Sequence, residues 1–393
     1  MTSTARRRRL LPFLATLVIA CALAAGSVLY FDTPAPTVSA TPEPASPATP
    51  PVSVAPPSAP ASAVAATALE RTAALPPLAL PADEAPHGSA MEWWYYSGIV
   101  QGDAGERFAL HQVVFVANGL LKQTVMHVAL TDLRNGRRYV SQSRTGGSPA
   151  QAVANGYDFH QADWQVRADG STHVLRAQAQ DARIALDATA KGPLLAHRAA
   201  DSATPGLLDF GPSGISYYYS RPRMPAQGEI TLDGKTVAVR GELWFDHQWG
   251  EFDVLTLGWN WFALHLADGS DLMLYQLFDP DTGREVLTAG TLANAQGATP
   301  LRAGDIALQA GERWTSPRTA IPYVVGWRIR LPSGELQVRP MRPDSEFDAS
   351  GTSGNVYWEG PVQVVDAQGG AAGEGFLELS GYDRMAARRV VAK

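Results

Sequence analysis

The chain has 393 residues, 45% of them hydrophobic and 18% charged, with a formal net charge of -6 and one cysteine. That balance excludes a disordered acidic protein, a coiled coil and a nucleic-acid binder, which needs a basic face. One cysteine excludes an intrachain disulfide and a cysteine-based zinc site, and a single long apolar run excludes a multi-span transporter.

Arg6 to Arg9 are four consecutive cations, and Leu10 to Phe31 then run 22 residues without a charge. At ~1.5 Å per residue that run covers about 33 Å, enough for a hydrocarbon core of ~30 Å. Basic residues ahead of an apolar run keep the N-terminus cytoplasmic and export the chain beyond the run. Residues 1–31 therefore read as a signal anchor, as a signal peptide cleaved near Ala22-Leu23-Ala24, or as a lipoprotein signal in which Val18-Ile19-Ala20-Cys21 ends at the cysteine. Arg7-Arg8-Arg9-Leu10-Leu11 also weakly resembles a twin-arginine export signal. Each reading predicts an exported protein on the periplasmic side, secreted or held at the inner membrane.

Residues 32–82 are rich in Pro, Ala, Ser and Thr and nearly uncharged. Such a composition buries no core, and its prolines keep it extended, so it reads as a disordered spacer. Beyond it the body carries 27 cations against 35 anions.

From residue 83 the pattern is of short alternating segments between turn signals, with no helical period. Phe108 to Val116 and Thr124 to Leu130 are predicted strands, as are Thr172 to Ala179 and Ala182 to Ala188. Gly228 to Leu232 and Thr236 to Trp244 flank Asp233-Gly234, a strong hairpin dipeptide. Trp261 to Leu266, Leu272 to Phe278, Gly326 to Leu331, Glu335 to Arg339, Val356 to Val365 and Gly375 to Gly381 complete the set. The prediction is an all-β protein of two antiparallel barrels, residues 83–250 and 251–393. All ten Trp and eleven of twelve Tyr lie in this body. Tyr217 and Tyr219, and Trp259 and Trp261, sit at the two-residue spacing that shares one strand face, as core or as the wall of an apolar ligand cavity.

Several segments carry a resemblance. They are Met91-Glu92-Trp93-Trp94-Tyr95-Tyr96-Ser97-Gly98, Ile215 to Arg221, Gly241-Glu242-Leu243-Trp244-Phe245-Asp246-His247-Gln248-Trp249-Gly250, Gly258 to Phe262 with Asp271 to Leu277, Tyr357 to Val362, and Gly375 to Tyr382. Together, over about residues 85–393, they resemble the AttH-like and carotenoid 1,2-hydratase superfamily of lipocalin-like proteins, whose members are often labelled predicted secreted hydrolases. The resemblance implies two tandem lipocalin-like barrels, an apolar or polyene-like ligand and, for AttH-type members, a link to ABC exporters. The hydratase branch adds water across a terminal double bond of an acyclic carotenoid.

Hydrating an alkene needs a strong proton donor and a shielded cation, roles suited to a buried acid and aromatic faces. Asp246, His247 and Trp249 supply those types, with His247 as relay, Asp246 orienting or donating, and Trp249 facing the cation. On a strand, however, His247 and Trp249 share a face and Asp246 points away. The hydratase pattern, His-x-Trp followed by Tyr-x-Asp, is met by His247, Trp249 and Tyr275, but Leu277 replaces the Asp. Asp246, His247 and Tyr275 are thus the catalytic candidates. Trp93, Trp94, Tyr217, Tyr219, Trp249, Trp259 and Trp261 are the ligand-binding candidates. A competing reading makes Asp246 to Trp249 an inter-domain joint. Glu92 and Glu359 read as structural acids, Glu92 with an arginine such as Arg221 as partner. The eight histidines show no metal-binding spacing, although His111 and His127 lie on neighbouring strands; no metal or other cofactor is predicted. No nucleophile elbow accompanies the hydrolase label. The expectation is an exported carrier of a hydrophobic small molecule, with a hydratase or a non-catalytic scaffold as alternatives.

Overall fold

The computed structural model describes residues 71–391 apart from 74, 149 and 152. The expected anchor or signal and most of the spacer lie outside the described residues. Two antiparallel sheets carry the fold. The first contains β1 (Met91–Gly102), β2 (Arg107–Asn118), β3 (Lys122–Asp132), β4 (Arg138–Gly146), β5 (Ala150–Gln151), β6 (Gly156–Gln161), β7 (Trp164–Asp169), β8 (Thr172–Ala179), β9 (Ala182–Thr189), β10 (Leu195–Ala196), β11 (Leu207–Asp209), β12 (Gly214–Leu232) and β13 (Lys235–Phe252). Its order, β4-β3-β2-β1-β13-β12-β9-β8-β7-β6-β5, curls until β3 and β4 meet β8, giving a nearly closed barrel.

The second sheet is a half-barrel built on β14 (Gly258–Leu266), β15 (Asp271–Phe278) and β16 (Glu285–Asn294), with β14 joined on its other edge to the C-terminal strand Ala371–Ser380 and then to Val356–Asp366. The chain ends in a helix, Tyr382–Val391, that the strand-only reading missed.

The hairpin dipeptide does what its residues permit: Asp233 and Gly234 take φ of +49° and +75° between β12 and β13. Those strands run 19 and 18 residues, far beyond the predicted segments, because β13 also serves as the spine between β1 and β12. At Gly98, where β1 meets β13, a Cβ would lie 2.4 Å from the Glu242 carbonyl oxygen, so the close approach requires glycine.

Three apolar layers result. Trp94, Tyr96, Val100, Leu243, Phe245 and Trp249 fill the barrel. Phe262, Leu264, Leu274, Trp358 and Leu377 fill the hollow of the second sheet. Between them, Tyr95, Ile99, Trp244, Trp261, Met273 and Tyr275 join the two outer faces. Strands β1, β13, β14 and β15 are therefore covered on both sides, and the period-two alternation inside them separates two different interiors.

One difference concerns residues 75–84, of which the composition placed 75–82 in the spacer. Leu78 and Leu80 pack on the barrel core, the Tyr217 hydroxyl donates to the Pro76 carbonyl at 2.7 Å, and Glu84 is buried. This segment covers the barrel because it offers two leucines and a carboxylate to a mouth lined with aromatics.

Candidate active site between the sheets

Register aligns two rows of side chains across the middle layer. On the first sheet Ser220 lies opposite Asp246, Asp246 opposite Tyr95, Tyr95 opposite Val113, and Val113 opposite His127. On the second sheet Glu359 lies opposite Glu378, Glu378 opposite Trp261, and Trp261 opposite Tyr275. The rows face each other across a cavity of about 280 Å³. Trp93, Phe115, Trp259 and Trp261 give it aromatic walls, and Asp246, Glu359, Glu378, Tyr218 and Tyr275 are among its polar groups, together with Gln248, His127 and Arg384.

Asp246 is buried and accepts three hydrogen bonds, from Tyr218 at 2.7 Å, from the Trp244 indole at 2.6 Å and from Ser220. The Trp261 indole donates in turn to the Tyr218 hydroxyl at 2.8 Å. Burial pushes the Asp246 carboxyl up to about 7, against the pull of its three donors. Glu378 is pushed up to about 8, first by burial and further by Asp246, opposed by a hydrogen bond from Trp259. Burial and the facing Glu378 hold Glu359 well above the carboxylate range. Its oxygen accepts from Tyr95 at 2.5 Å and lies 3.1 Å from His111 Nδ1. Burial raises the Tyr275 phenol. The site thus gathers carboxyls raised well above their ordinary range, the kind of group that acid–base catalysis uses at neutral pH.

The family profile for AttH-like proteins matches residues 71–382. The chain belongs to the AttH-like family. A protein assigned to AttH from Nitrosomonas europaea has the same fold, with a TM-score of 0.66 and 27% identity over 78% of this chain and 98% of that one. Kievitone hydratase from Nectria haematococca shares the fold at a TM-score of 0.62 and 17% identity, over 79% and 94% of the two chains. In sequence, a kievitone hydratase from Fusarium solani subsp. phaseoli is 30% identical over 121 residues, 30% of this chain and a third (33%) of that enzyme's length.

In this AttH-like chain the candidates divide between two interiors. Asp246, Tyr275, Trp93, Trp259, Trp261 and Glu359 line the cavity between the sheets. His247, Trp249, Trp94, Tyr217 and Tyr219 belong to the barrel. The His-x-Trp pair is thereby separated from Tyr275, and neither His247 as relay nor Trp249 as cation face acts on the cavity. The reason is the strand period: no bulge interrupts β13 between Asp246 and Trp249 where it pairs with β1. The joint reading fits Asp246 and Gln248, which face the second sheet, yet their partners are side chains: Gln248 donates to Ser216 at 2.9 Å.

Glu92 is not paired with Arg221. Its Oε1 lies 2.9 Å from His247 Nε2 and 2.8 Å from His87 Nδ1. Burial would raise this carboxyl, but the hydrogen bonds from His247 and His87 bring it below its ordinary value. Arg221 instead pairs with Glu84 of the covering segment at 2.5 Å. Against the expectation of no metal site, His87, Glu92 and His247 bring three ligand atoms within 4.8 Å of one another. His111 and His127 do not join into a pair: each reaches the second sheet, His127 Nδ1 lying 3.1 Å from the Tyr357 hydroxyl.

Glu378, Tyr95 and Tyr218 escaped the sequence reading. Glu378 carried a signal: in Gly375 to Tyr382 it falls on the face opposite Leu377 and Leu379, a lone acid at an alternating position. Tyr218 lay between two tyrosines chosen for their shared face, and the middle one faces the cavity.

Proposed function

We propose that the protein binds a hydrophobic, unsaturated small molecule between its two sheets and adds water across one of its double bonds. The observation that carries this reading is the pair Glu378 and Asp246, held near 8 and 7 in a cavity with largely aromatic walls. Burying carboxyls without counter-cations is costly, so a site that keeps them is suited to proton transfer. Glu378 gives its proton to the alkene carbon and a C–H bond forms. The cation left on the adjacent carbon faces the Trp259 and Trp261 rings, whose quadrupoles stabilise it. A water attacks that carbon, and its proton passes to Asp246, the carboxylate held in place by Tyr218 and Trp244. Proton exchange with solvent then resets both acids. Kievitone hydratase, by name a hydratase, supports the reaction class, and the cavity's aromatic lining supports an isoprenoid-like or polyene-like substrate.

The basic and apolar N-terminal sequence supports an exported protein held near a membrane in which such a substrate dissolves, with transfer to or from an ABC exporter as a partner role. The test is incubation of the full chain with acyclic isoprenoids and prenylated phenols in heavy-oxygen water. Labelled alcohol formed by wild type and lost in Glu378→Gln supports the proposal. Stoichiometric binding with no product turns the reading to a carrier, and neither binding nor product to a scaffold.

A further inference from the structure

The cluster inside the barrel does not contribute to that reaction, and it is built unlike a simple ion pair. We propose that His87, Glu92 and His247 bind a divalent first-row transition ion, with Zn²⁺ as the representative. Two imidazoles and one carboxylate, with a fourth position left to water, are a donor set that Zn²⁺ accepts in tetrahedral geometry. Glu92 Oε1 already lies 2.8 Å from one ring nitrogen and 2.9 Å from the other. Ligand atoms about 2.0–2.1 Å from a tetrahedral ion stand about 3.3 Å apart, so the trio has to open by about half an ångström.

Groups around the trio fit the same use. Histidines that bind metals commonly hold their second nitrogen in a hydrogen bond, which fixes the tautomer and ring orientation. His247 Nδ1 lies 3.3 Å from the Tyr219 hydroxyl, and Tyr219 donates to Glu84. His87 Nε2 lies 3.5 Å from an Asp83 carboxylate oxygen. Both rings are also clamped: His87 stacks on Trp249 at 4.0 Å and 2°, and His247 stacks on Trp94 at 4.7 Å and 23°. The Trp94 indole N–H is fully buried with no hydrogen-bond partner among the described residues.

The three ligands come from three places: His87 from the link between the covering segment and β1, Glu92 from β1 and His247 from β13. An ion here clasps the covering segment to the barrel wall. It stands behind that wall from the cavity, since Asp246 and His247 are successive residues on opposite faces of β13. The site is thus a structural clasp independent of the proposed hydration.

The experiment is titration of the full chain, stripped with a chelator, first with Zn²⁺ and then with Co²⁺. The expected result is one Zn²⁺ per chain, a rise in Tm on saturation, and visible Co²⁺ bands of tetrahedral intensity. His87→Gln, a half-buried position, is expected to lower affinity at least tenfold and to abolish both the Tm rise and the bands. Glu92→Gln is expected to do the same, with circular dichroism to establish that it folds. Absence of Zn²⁺ binding by wild type, or unchanged Zn²⁺ affinity and Co²⁺ spectrum in folded His87→Gln, overturns the proposal.

Discussion

The two interiors that share β13 treat their acids in opposite ways. In the barrel, Glu92 is buried but lies against two imidazoles, and its carboxyl is held below its ordinary value. In the cavity between the sheets, buried Asp246 and partly buried Glu378 have neutral donors as hydrogen-bond partners, and are pushed to about 7 and about 8. Burial acts on all three. What differs is whether the neighbours are groups that can carry positive charge or neutral donors, and that depends on which face of a strand each residue occupies. One stretch of four residues, Asp246 to Trp249, therefore turns an acid toward one space and an imidazole toward the other.

The sharpest way to test this contrast is to replace one acid on each side. Glu378→Gln is expected to reduce hydration by about 10²–10⁴-fold, the ordinary worth of a general acid, with Tm preserved or raised. Single-turnover product formation together with thermal melting checks it. Glu92→Ala should do the reverse. Removing one partner of a buried hydrogen-bonded cluster costs about 3–5 kcal/mol, so denaturant unfolding is expected to shift strongly while turnover of the remaining folded protein stays near wild type. Equal effects of the two variants on turnover would mean that the two interiors are not separate.

A smaller effect is expected at the contact that joins the sheets. Tyr95→Phe leaves buried Glu359 without the phenol at 2.5 Å, a loss of about 1–3 kcal/mol in urea unfolding.

The smallest effects are graded ones with pH. Asp246 and Glu378 bind protons in the folded state up to about 7 and about 8, whereas in the unfolded chain they release them near 3.8 and 4.5. Within that window the native state holds more protons, so stability falls as pH rises, by at most about 1.4 kcal/mol per pH unit for each group. Tm is expected to decline between pH 5 and 8 through these two acids, and Glu378→Gln to flatten the decline. Glu92 has the opposite sign: its stabilisation is present above 4.5 and is lost as pH falls below it. The hydration rate requires protonated Glu378 and ionised Asp246 together, so it is expected to peak between pH 7 and 8.

Much of the fold was legible because its signals are local. Thr172–Ala179 was read to the residue, and Asp233-Gly234 forms the expected turn. Lengths were less legible: β12 and β13 continue through Tyr217 to Arg221 and Phe245 to Phe252, where burial on both faces removes the polar alternation that marks a strand with one wet side. The closing helix was missed because Tyr382 to Val391 is short and rich in arginine, and comes directly after a strand. For the site, the period-two rule correctly separated Asp246 from His247. It could not say what lay on either side.

The residue order by itself determined a chain of short strands, its turns, its wealth of aromatic residues and which neighbours along a strand face apart, since each arises from sterics and side-chain spacing within a few residues. Tertiary structure alone decided that Glu359 and Glu378 face Asp246, that Glu92 meets His87 and His247, and that residues 75–84 cover the barrel. Those contacts join positions far apart in the chain, and the acid–base state of each carboxyl is set by the solvent it loses and the partner it gains, neither of which is a property of the local sequence.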